Sequence, residues 1–220
     1  KIYAKKYGFK IPETYQLVKY PNQIKINMKN FVIKPVDLSN SFGVILVKNN
    51  INLKTKKTFN LQEEKNNLYK IRSKIYNEHY MHRYMYNGLV PYTGYIVEEL
   101  LLDDTGNIPK DYKCYVFGGR LFYIATTFNR RMVNGEQKFD SLWFDRNWNP
   151  IKTKMVKDNY KFSENIPRPN NFEKLIKLVE NMGKIFERHC RIDVYLIKNE
   201  VYFGEFTFFC GAKLHTYYCN

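Results

Sequence analysis

Two carboxylates stand where carboxylates are costly. Residues 191–214, RIDVYLIKNEVYFGEFTFFCGAKL, read as two strands about a short turn at 198–200, rich in Val, Tyr, Phe and Leu. Strands of this composition are buried on at least one face, and a bare Asp193 or Glu205 there would pay heavily for lost water. Directly opposite residues of an antiparallel pair share a face. A turn centred on Asn199 sets Ile197 against Val201, Asp193 against Glu205 and Arg191 against Thr207. Facing acids repel unless something positive lies between them. A hard divalent cation such as Mg²⁺ fits, because it takes oxygen ligands and completes its shell with phosphate and water. Two other outcomes stay open: Arg191 neutralises one acid, or a two-residue turn slips the register and sends one acid to solvent.

Two upstream stretches offer matching chemistry. VIKP ends a strand at Lys34, and DLSNSFG follows with Ser39, Ser41 and Gly43. Such a loop can wrap phosphates through backbone N–H and hydroxyl groups while Lys34 supplies a point charge; it can equally be an ordinary polar hairpin loop. YIVEELL closes a strand with Glu98, Glu99, Leu100 and Leu101, a segment able to present backbone groups to a purine edge.

The elements that must position these residues are legible in outline. Residues 2–7 suit a short helix, stopped by Gly8 and Pro12. Strands are expected at 31–36 and 43–48. From Asn60 onward Leu61, Leu68, Ile71, Ile75 and His79 recur at helical spacing, with Asn60 and Glu63 as the cap, and the helix runs to about Tyr84. Four strands follow at 94–101, 111–118, 120–128 and 138–145, the middle two joined by Gly118-Gly119, a two-residue hairpin signal. A helix capped by Asn170 and Glu173 carries the stripe Phe172, Leu175, Ile176, Val179, Met182 and Phe186. This clustering of helices and strands indicates an α+β fold with antiparallel sheets. No GxGxxG or GxxxxGK[ST] run is present.

Composition narrows the partners. The 220 residues hold 36 Lys and Arg against 21 Asp and Glu, a net charge of +15. That excess favours an anionic partner, although a Lys-, Asn-, Ile- and Tyr-rich chain is also what an AT-rich gene encodes. Cys114, Cys190, Cys210 and Cys219 show no CxxC or CxxH spacing and read as thiols of a reducing compartment. With no apolar run of the roughly 18 residues a membrane span needs and no signal peptide, a cytoplasmic location is expected.

Taken in order, these stretches resemble the ATP-grasp enzymes, and the chain is most similar to their TupA-like branch, associated with teichuronopeptide and polysaccharide synthesis. IKPVDLSNSFGV is similar to the strand Lys, Pro and Ser/Gly loop that covers ATP phosphates; VEELL resembles the acidic hinge strand that holds adenine. RIDV with a Glu on the next strand resembles the Mg²⁺-carrying pair. PKDYKCYVFGGRLFYI, WFDRNWN and YFGEFTF extend the likeness to the branch. The resemblance implies two α+β lobes with ATP between them: a smaller one at about 24–100 preceded by a short helix, and a larger catalytic one at about 101–220. In one respect the chain departs from that pattern: the separate N-terminal domain that many ATP-grasp enzymes place before the lobes is expected to be absent, which would put some acceptor residues outside these residues or on another chain.

Residue by residue, the resemblance implies that Lys34, Ser39, Ser41 and Gly43 hold phosphates, with Lys113 on phosphate or purine. Glu98 and the backbone of Glu99, Leu100 and Leu101 would bind adenine, and Asp111 the ribose. Asp193 and Glu205 would carry Mg²⁺, Glu205 bridging two ions, with Thr207 in place of a common Asn ligand. Arg191 would stabilise the transferring phosphate. Cys210 replaces a frequent Pro and leaves the acceptor loop open. Arg131 beside Arg130, and Lys213, are candidates for an acidic acceptor or the nucleotide, or else solvated charges.

The activity so implied is ATP- and Mg²⁺-dependent carboxylate–amine ligation through an acyl phosphate, attaching an amino acid or amine to an acidic, glycan-related acceptor. A kinase acting on a hydroxyl would share the nucleotide site, and a basic nucleic-acid-binding module would share the charge. His79 and His82 lack the Cys or acidic companions of a zinc site. Trp143 and Trp148 read as core residues or as an aromatic platform for a sugar or base.

Overall fold

In the computed structural model, residues 1–38, 41–84, 94–133, 136–151, 166–186 and 189–208 are described, with side chains except at 2, 75–84 and 129–138. The chain forms two compact units, one of Pro12–Leu100 and one of Lys1–Ile11 with Leu101–Asn220. The first of these units opens at Pro12, ahead of the residue 24 expected for a smaller lobe, and the short leading helix α1 (Ile2–Lys6) goes with the other unit. The physical reason is local. Lys10 N–H donates to the Val201 carbonyl and Phe203 N–H to the Lys10 carbonyl, while Ala4 and Phe9 sit in the core of the larger unit.

The Pro12–Leu100 unit is a five-stranded antiparallel sheet of β1 (Thr14–Val18), β2 (Phe31–Pro35), β3 (Ile45–Lys48), β4 (Ile51–Asn52) and β5 (Tyr95–Glu98), in the order β1-β5-β2-β3-β4. β1 and β4 were not legible in the sequence: β1 is a half-exposed edge strand with polar residues and β4 is only two residues long. Helix α2 (Leu61–Tyr84) starts where its cap predicts, with Asn60 Oδ1 accepting from the N–H groups of Gln62 (3.0 Å) and Glu63 (3.1 Å). Leu68 of α2 joins Phe31, Ile33, Ile45, Val47, Tyr95 and Val97 in this unit's core.

The larger unit holds β6 (Asp111–Phe117), β7 (Arg120–Val133), β8 (Glu136–Asp145), α3 (Phe172–Gly183), β9 (His189–Ile197) and β10 (Glu200–Thr207), its sheet ordered β10-β9-β6-β7-β8 and antiparallel throughout. Gly118 and Gly119 both take positive φ, as a two-residue β6–β7 turn requires. The stripe of α3 is buried as its period predicts: Phe172, Leu175, Ile176, Val179 and Met182 cover one sheet face, each contributing about 1.5–3 kcal/mol of burial. Its cap differs from expectation. The N-cap is Asn171, not Asn170, no side chain caps it, and Glu173 instead pairs with Arg168. Phe186 lies beyond the helix and only partly in the core.

The β9–β10 hairpin corrects the turn but keeps the pairing. The loop is two residues, Lys198 and Asn199, both at positive φ, so Ile197 faces Glu200 and Val201 faces Leu196. On that count Asp193 would miss Glu205. A bulge between Phe203 and Glu205 adds one residue to β10, after which Glu205 pairs with Asp193 and Thr207 with Arg191. Gly204 is the residue that permits it: a Cβ there would stand 2.9 Å from the Asp193 carbonyl oxygen and 3.3 Å from the Tyr195 ring.

Two predictions follow from these fastenings. Gly204→Ala must push the strands apart and is expected to lower stability by about 1–3 kcal/mol, read as a lower urea midpoint with unchanged slope. Glu180 of α3 accepts from Arg146 Nε (2.9 Å) and Nη2 (3.1 Å) and from Leu121 N–H (3.1 Å). The Arg146 bonds hold its pKa below the usual 4.5. Stability from this group is therefore present above 4.5 and drains as pH falls through its lower folded value. Glu180→Gln should flatten that part of the acid limb in urea titrations from neutral pH downward.

Candidate functional site

Strand alternation sorts the larger sheet into two chemistries. Tyr112, Cys114 and Val116 of β6 point to the α3 core, with Ile192 and Val194 of β9. The alternate residues, Asp111, Lys113 and Tyr115, share the opposite face with Arg191, Asp193 and Tyr195, since Lys113 pairs with Asp193 and Tyr115 with Arg191. The bulge brings Glu205 and Thr207 to the same group.

Five ionisable side chains meet there. Arg191 donates to Asp193 through Nε (2.6 Å to Oδ1) and Nη2 (2.8 Å to Oδ2), and reaches Glu205 at 3.3 Å. Lys113 Nζ donates to Asp193 Oδ2 at 2.8 Å and to Asp111 Oδ2 at 2.5 Å. Asp111 and Asp193 are 4% and 3% exposed, so their charges depend on these donors. Glu205, whose side chain is 65% exposed, is the least compensated acid. Desolvation of its carboxyl, then the Asp193 charge, hold its pKa above the usual value despite Lys113 and Arg191. Burial pulls Lys113 down, but Asp111 and Asp193 outweigh it and keep the ammonium charged.

Arg191 thus neutralises Asp193, one of the outcomes the sequence left open, and the two acids remain neighbours. Asp193 and Glu205 offer hard oxygen donors side by side, paired across the two strands. A divalent cation fits that chemistry. Among the described residues, no group of three His, Cys, Asp or Glu could hold an ion, so water or phosphate would complete the shell.

The smaller unit carries the other candidates. Lys34 Nζ lies 2.5 Å from Glu98 Oε1, the acid almost wholly buried. Glu99 is tied to Glu13 twice: its N–H donates to the Glu13 carbonyl (2.9 Å), and its Oε2 accepts the Glu13 N–H (3.1 Å). Its N–H is therefore engaged, while Leu100 is buried and Leu101 half-buried. Ser41 and Gly43 turn the loop after β2, at φ 59° and 69°; a Cβ on Gly43 would come 2.8 Å from the Pro35 ring. Ser39 and Lys213, like Cys210 and Cys219, lie outside the described residues. Arg131 is placed on β7 opposite Lys138, but its side chain, with those of Arg130, His79 and His82, is outside them too.

Arg72 and Asp37 were missed in the sequence. Arg72 of α2 forks onto Asp37 (Nη1–Oδ2 2.9 Å, Nη2–Oδ1 2.8 Å) and donates Nε to the Tyr95 hydroxyl at 3.0 Å. These bonds raise the guanidinium pKa further. They fasten the loop that follows Lys34 to the helix. Asp37 in KPVD was visible, but nothing in the sequence joins it to a residue 35 positions away. Of the tryptophans, Trp148 stacks on Phe144 in the core and Trp143 packs with Tyr115 and Ala125 on the charged face, both buried.

The profile of the TupA-like ATP-grasp family matches residues 9–218. The chain belongs to this family. Its fold is that of the ATP-grasp proteins, built here as two antiparallel sheets with few helices. The TupA-like chain is similar to N5-carboxyaminoimidazole ribonucleotide synthetase in its ADP complex, at 12% identity and TM-score 0.51 over 94% of this chain and 42% of that one. It is also similar to D-alanine–D-alanine ligase of Helicobacter pylori (16%, TM-score 0.49, 98% and 51%) and to the L-amino acid ligase of Bacillus licheniformis (11%, 0.49, 93% and 38%). The chain spans about half or less of the length of these structures. No curated protein matches it. No described helix is long and apolar enough to cross a membrane.

Arg72→Ala would leave Asp37, whose side chain is 1% exposed, without its bidentate partner. The expected loss is about 3 kcal/mol, measured by urea unfolding, with faster protease cleavage after residue 37 under native conditions.

Proposed function

We propose that this chain is the nucleotide-binding and catalytic part of an ATP- and Mg²⁺-dependent carboxylate–amine ligase. The observation that carries the reading is the Asp193–Glu205 pair set beside Arg191 and Lys113 on one sheet face. Family membership supports the nucleotide, as does likeness in fold to a synthetase bound to ADP. We assign Lys34, Ser39, Ser41 and Gly43 to phosphate, Glu98 with the Glu99 carbonyl and the Leu100 and Leu101 backbone to adenine, and Asp111 to the ribose. Asp193 and Glu205 would hold Mg²⁺, with Thr207 a weaker third donor and Glu205 shared if two ions bind. When bound, the metal would neutralise phosphate charge as it transfers.

The chemistry then asks little covalent work of the protein. An acceptor carboxylate oxygen attacks the terminal phosphorus, the bond to the bridging oxygen breaks, and ADP leaves. An amine attacks the acyl phosphate, phosphate departs and the amine loses a proton, leaving an amide. Arg191 and Lys113 are the cations positioned to stabilise charge on the transferring group, and Lys34 supplies a further one. Arg131 and Lys213 are assigned to the acceptor, whose negative charge suits a chain of net +15. An acidic glycan or glycan-linked amino acid is the acceptor class proposed, and a cytoplasmic setting follows from the use of ATP.

The decisive experiment is an ADP-release screen over acidic acceptors and amines, with product analysis. Wild type should release ADP and phosphate and form an amide. Asp193→Ala with Glu205→Ala should abolish Mg²⁺-dependent turnover. A phosphorylated alcohol would make the protein a kinase. Salt-sensitive binding of nucleic acid that survives the double change, with no turnover in either protein, would make it a binding module.

A further inference from the structure

We infer that Lys113 and Arg191 serve as built-in counter-cations that keep a divalent ion off Asp193 until the phosphates of a nucleotide draw them away. The inference rests on the nucleotide reading above and adds an order to it: the metal enters with the nucleotide and is excluded without it.

The occupancy of Asp193 is the first ground. An ionised carboxylate has about four lone-pair sites, and three charge-assisted hydrogen bonds occupy most of those of Asp193: Arg191 Nε on Oδ1, Arg191 Nη2 and Lys113 Nζ on Oδ2. Two positive groups therefore stand within 2.8 Å of the oxygens a metal would need. The second ground is charge. Asp111, Asp193 and Glu205 carry three negative charges and Lys113 and Arg191 two positive, leaving −1 in total. A dication is attracted far less to that group than to three bare acids.

Burial makes the exchange all-or-none. Lys113 also holds Asp111, so its departure weakens the compensation of two acids that are almost fully buried. Uncompensated buried charges are costly, which disfavours a state with neither the lysine nor a metal on them. A polyphosphate resolves this by accepting hydrogen bonds from the ammonium and guanidinium, and its arrival frees oxygens for the cation at the moment the cation can replace them. Metal and nucleotide then favour each other's binding reciprocally.

Equilibrium dialysis of the full chain against Mn²⁺, with protein-bound metal measured by elemental analysis, tests this without turnover. Wild type without nucleotide should bind Mn²⁺ at least about tenfold more weakly than Lys113→Met or Lys113→Gln. Lys113→Arg should restore the weak binding, and Asp193→Asn added to Lys113→Met should remove the gain. Circular dichroism checks that each variant is folded. In wild type, a non-hydrolysable ATP analogue should tighten Mn²⁺ retention beyond the Mn²⁺ that the analogue itself carries, and Arg191→Gln, which removes the other counter-cation from Asp193, replaces the Lys113 variants in the nucleotide-free measurement if these do not fold. Unchanged affinity in Lys113→Met and Lys113→Gln, or wild-type retention equal with and without the analogue, overturns the proposal. Analogue binding without metal, followed by calorimetry, separates the two ideas. Analogue bound with no Lys113 gain sinks the exchange and spares the nucleotide reading. A Lys113 gain with no analogue bound by any variant sinks that reading and the release step with it.

Discussion

A single extra residue in β10 holds the charged face together. The tight Lys198-Asn199 turn is the connection that a right-twisted hairpin prefers, but it fixes a register in which Asp193 and Glu205 would fall on opposite faces. The bulge at Gly204 inserts one residue, and every side chain beyond it changes face. Val201 and Phe203 keep their places in the core before the bulge, and Phe206 returns to it afterwards. The strand thus serves packing along its first half and chemistry along its second. The backbone approach that allows this leaves no room for a Cβ, so a glycine is the structural condition for the acidic pair.

Because the sheet is two-faced, the same alternation that buries one set of residues displays the other. Cys114 and Ile192 are sealed beneath α3 while Lys113 and Asp193, their chain neighbours, meet across the strands on the far side. The arrangement is rigid where rigidity matters. β6 and β9 are central strands, paired on both edges, and their polar residues cannot slide without moving the core. Tyr115 and Trp143 extend that face with buried aromatic surface, which lowers local polarity and strengthens nearby electrostatic contacts.

Sequence patterning reached most of this because most of it is periodic. The stripe of α3, the Asn60 cap, the Gly118-Gly119 turn and the strands at 111–118 and 191–197 are each determined by neighbours within a few residues. What it missed is either very short or very distant. β4 has two residues and no period to detect. Asn171, not Asn170, is the N-cap of α3, and Glu173 pairs with Arg168 where a capping box was expected. The turn of the hairpin was misjudged by one residue and the bulge cancelled the error, so Asp193 and Glu205 met for a reason the sequence reading did not contain. Arg72 and Asp37 illustrate the other limit, since pairing across 35 residues is a property of the folded unit alone.

That distant pair also explains how a loop rich in small polar residues can be held in place. Free of contacts, DLSNSFG would lose much of its usefulness to conformational entropy, because every residue to be ordered around a ligand costs free energy on binding. Arg72 fixes its first turn through Asp37, Lys54 Nζ donates to the Ser41 carbonyl at 3.2 Å, and Gly43 lies against Pro35. The fastening groups come from α2, from the β4 side and from β2 itself, so the loop is tied at both ends to a packed sheet. Ser41, the non-glycine residue of this turn at positive φ, stores strain in the folded protein, and these contacts hold it there. Lys34, half-exposed, is set against the buried Glu98 carboxylate just before that loop. Both units of the chain therefore set a lysine against a buried acid, Lys34 on Glu98 in one and Lys113 on Asp111 and Asp193 in the other.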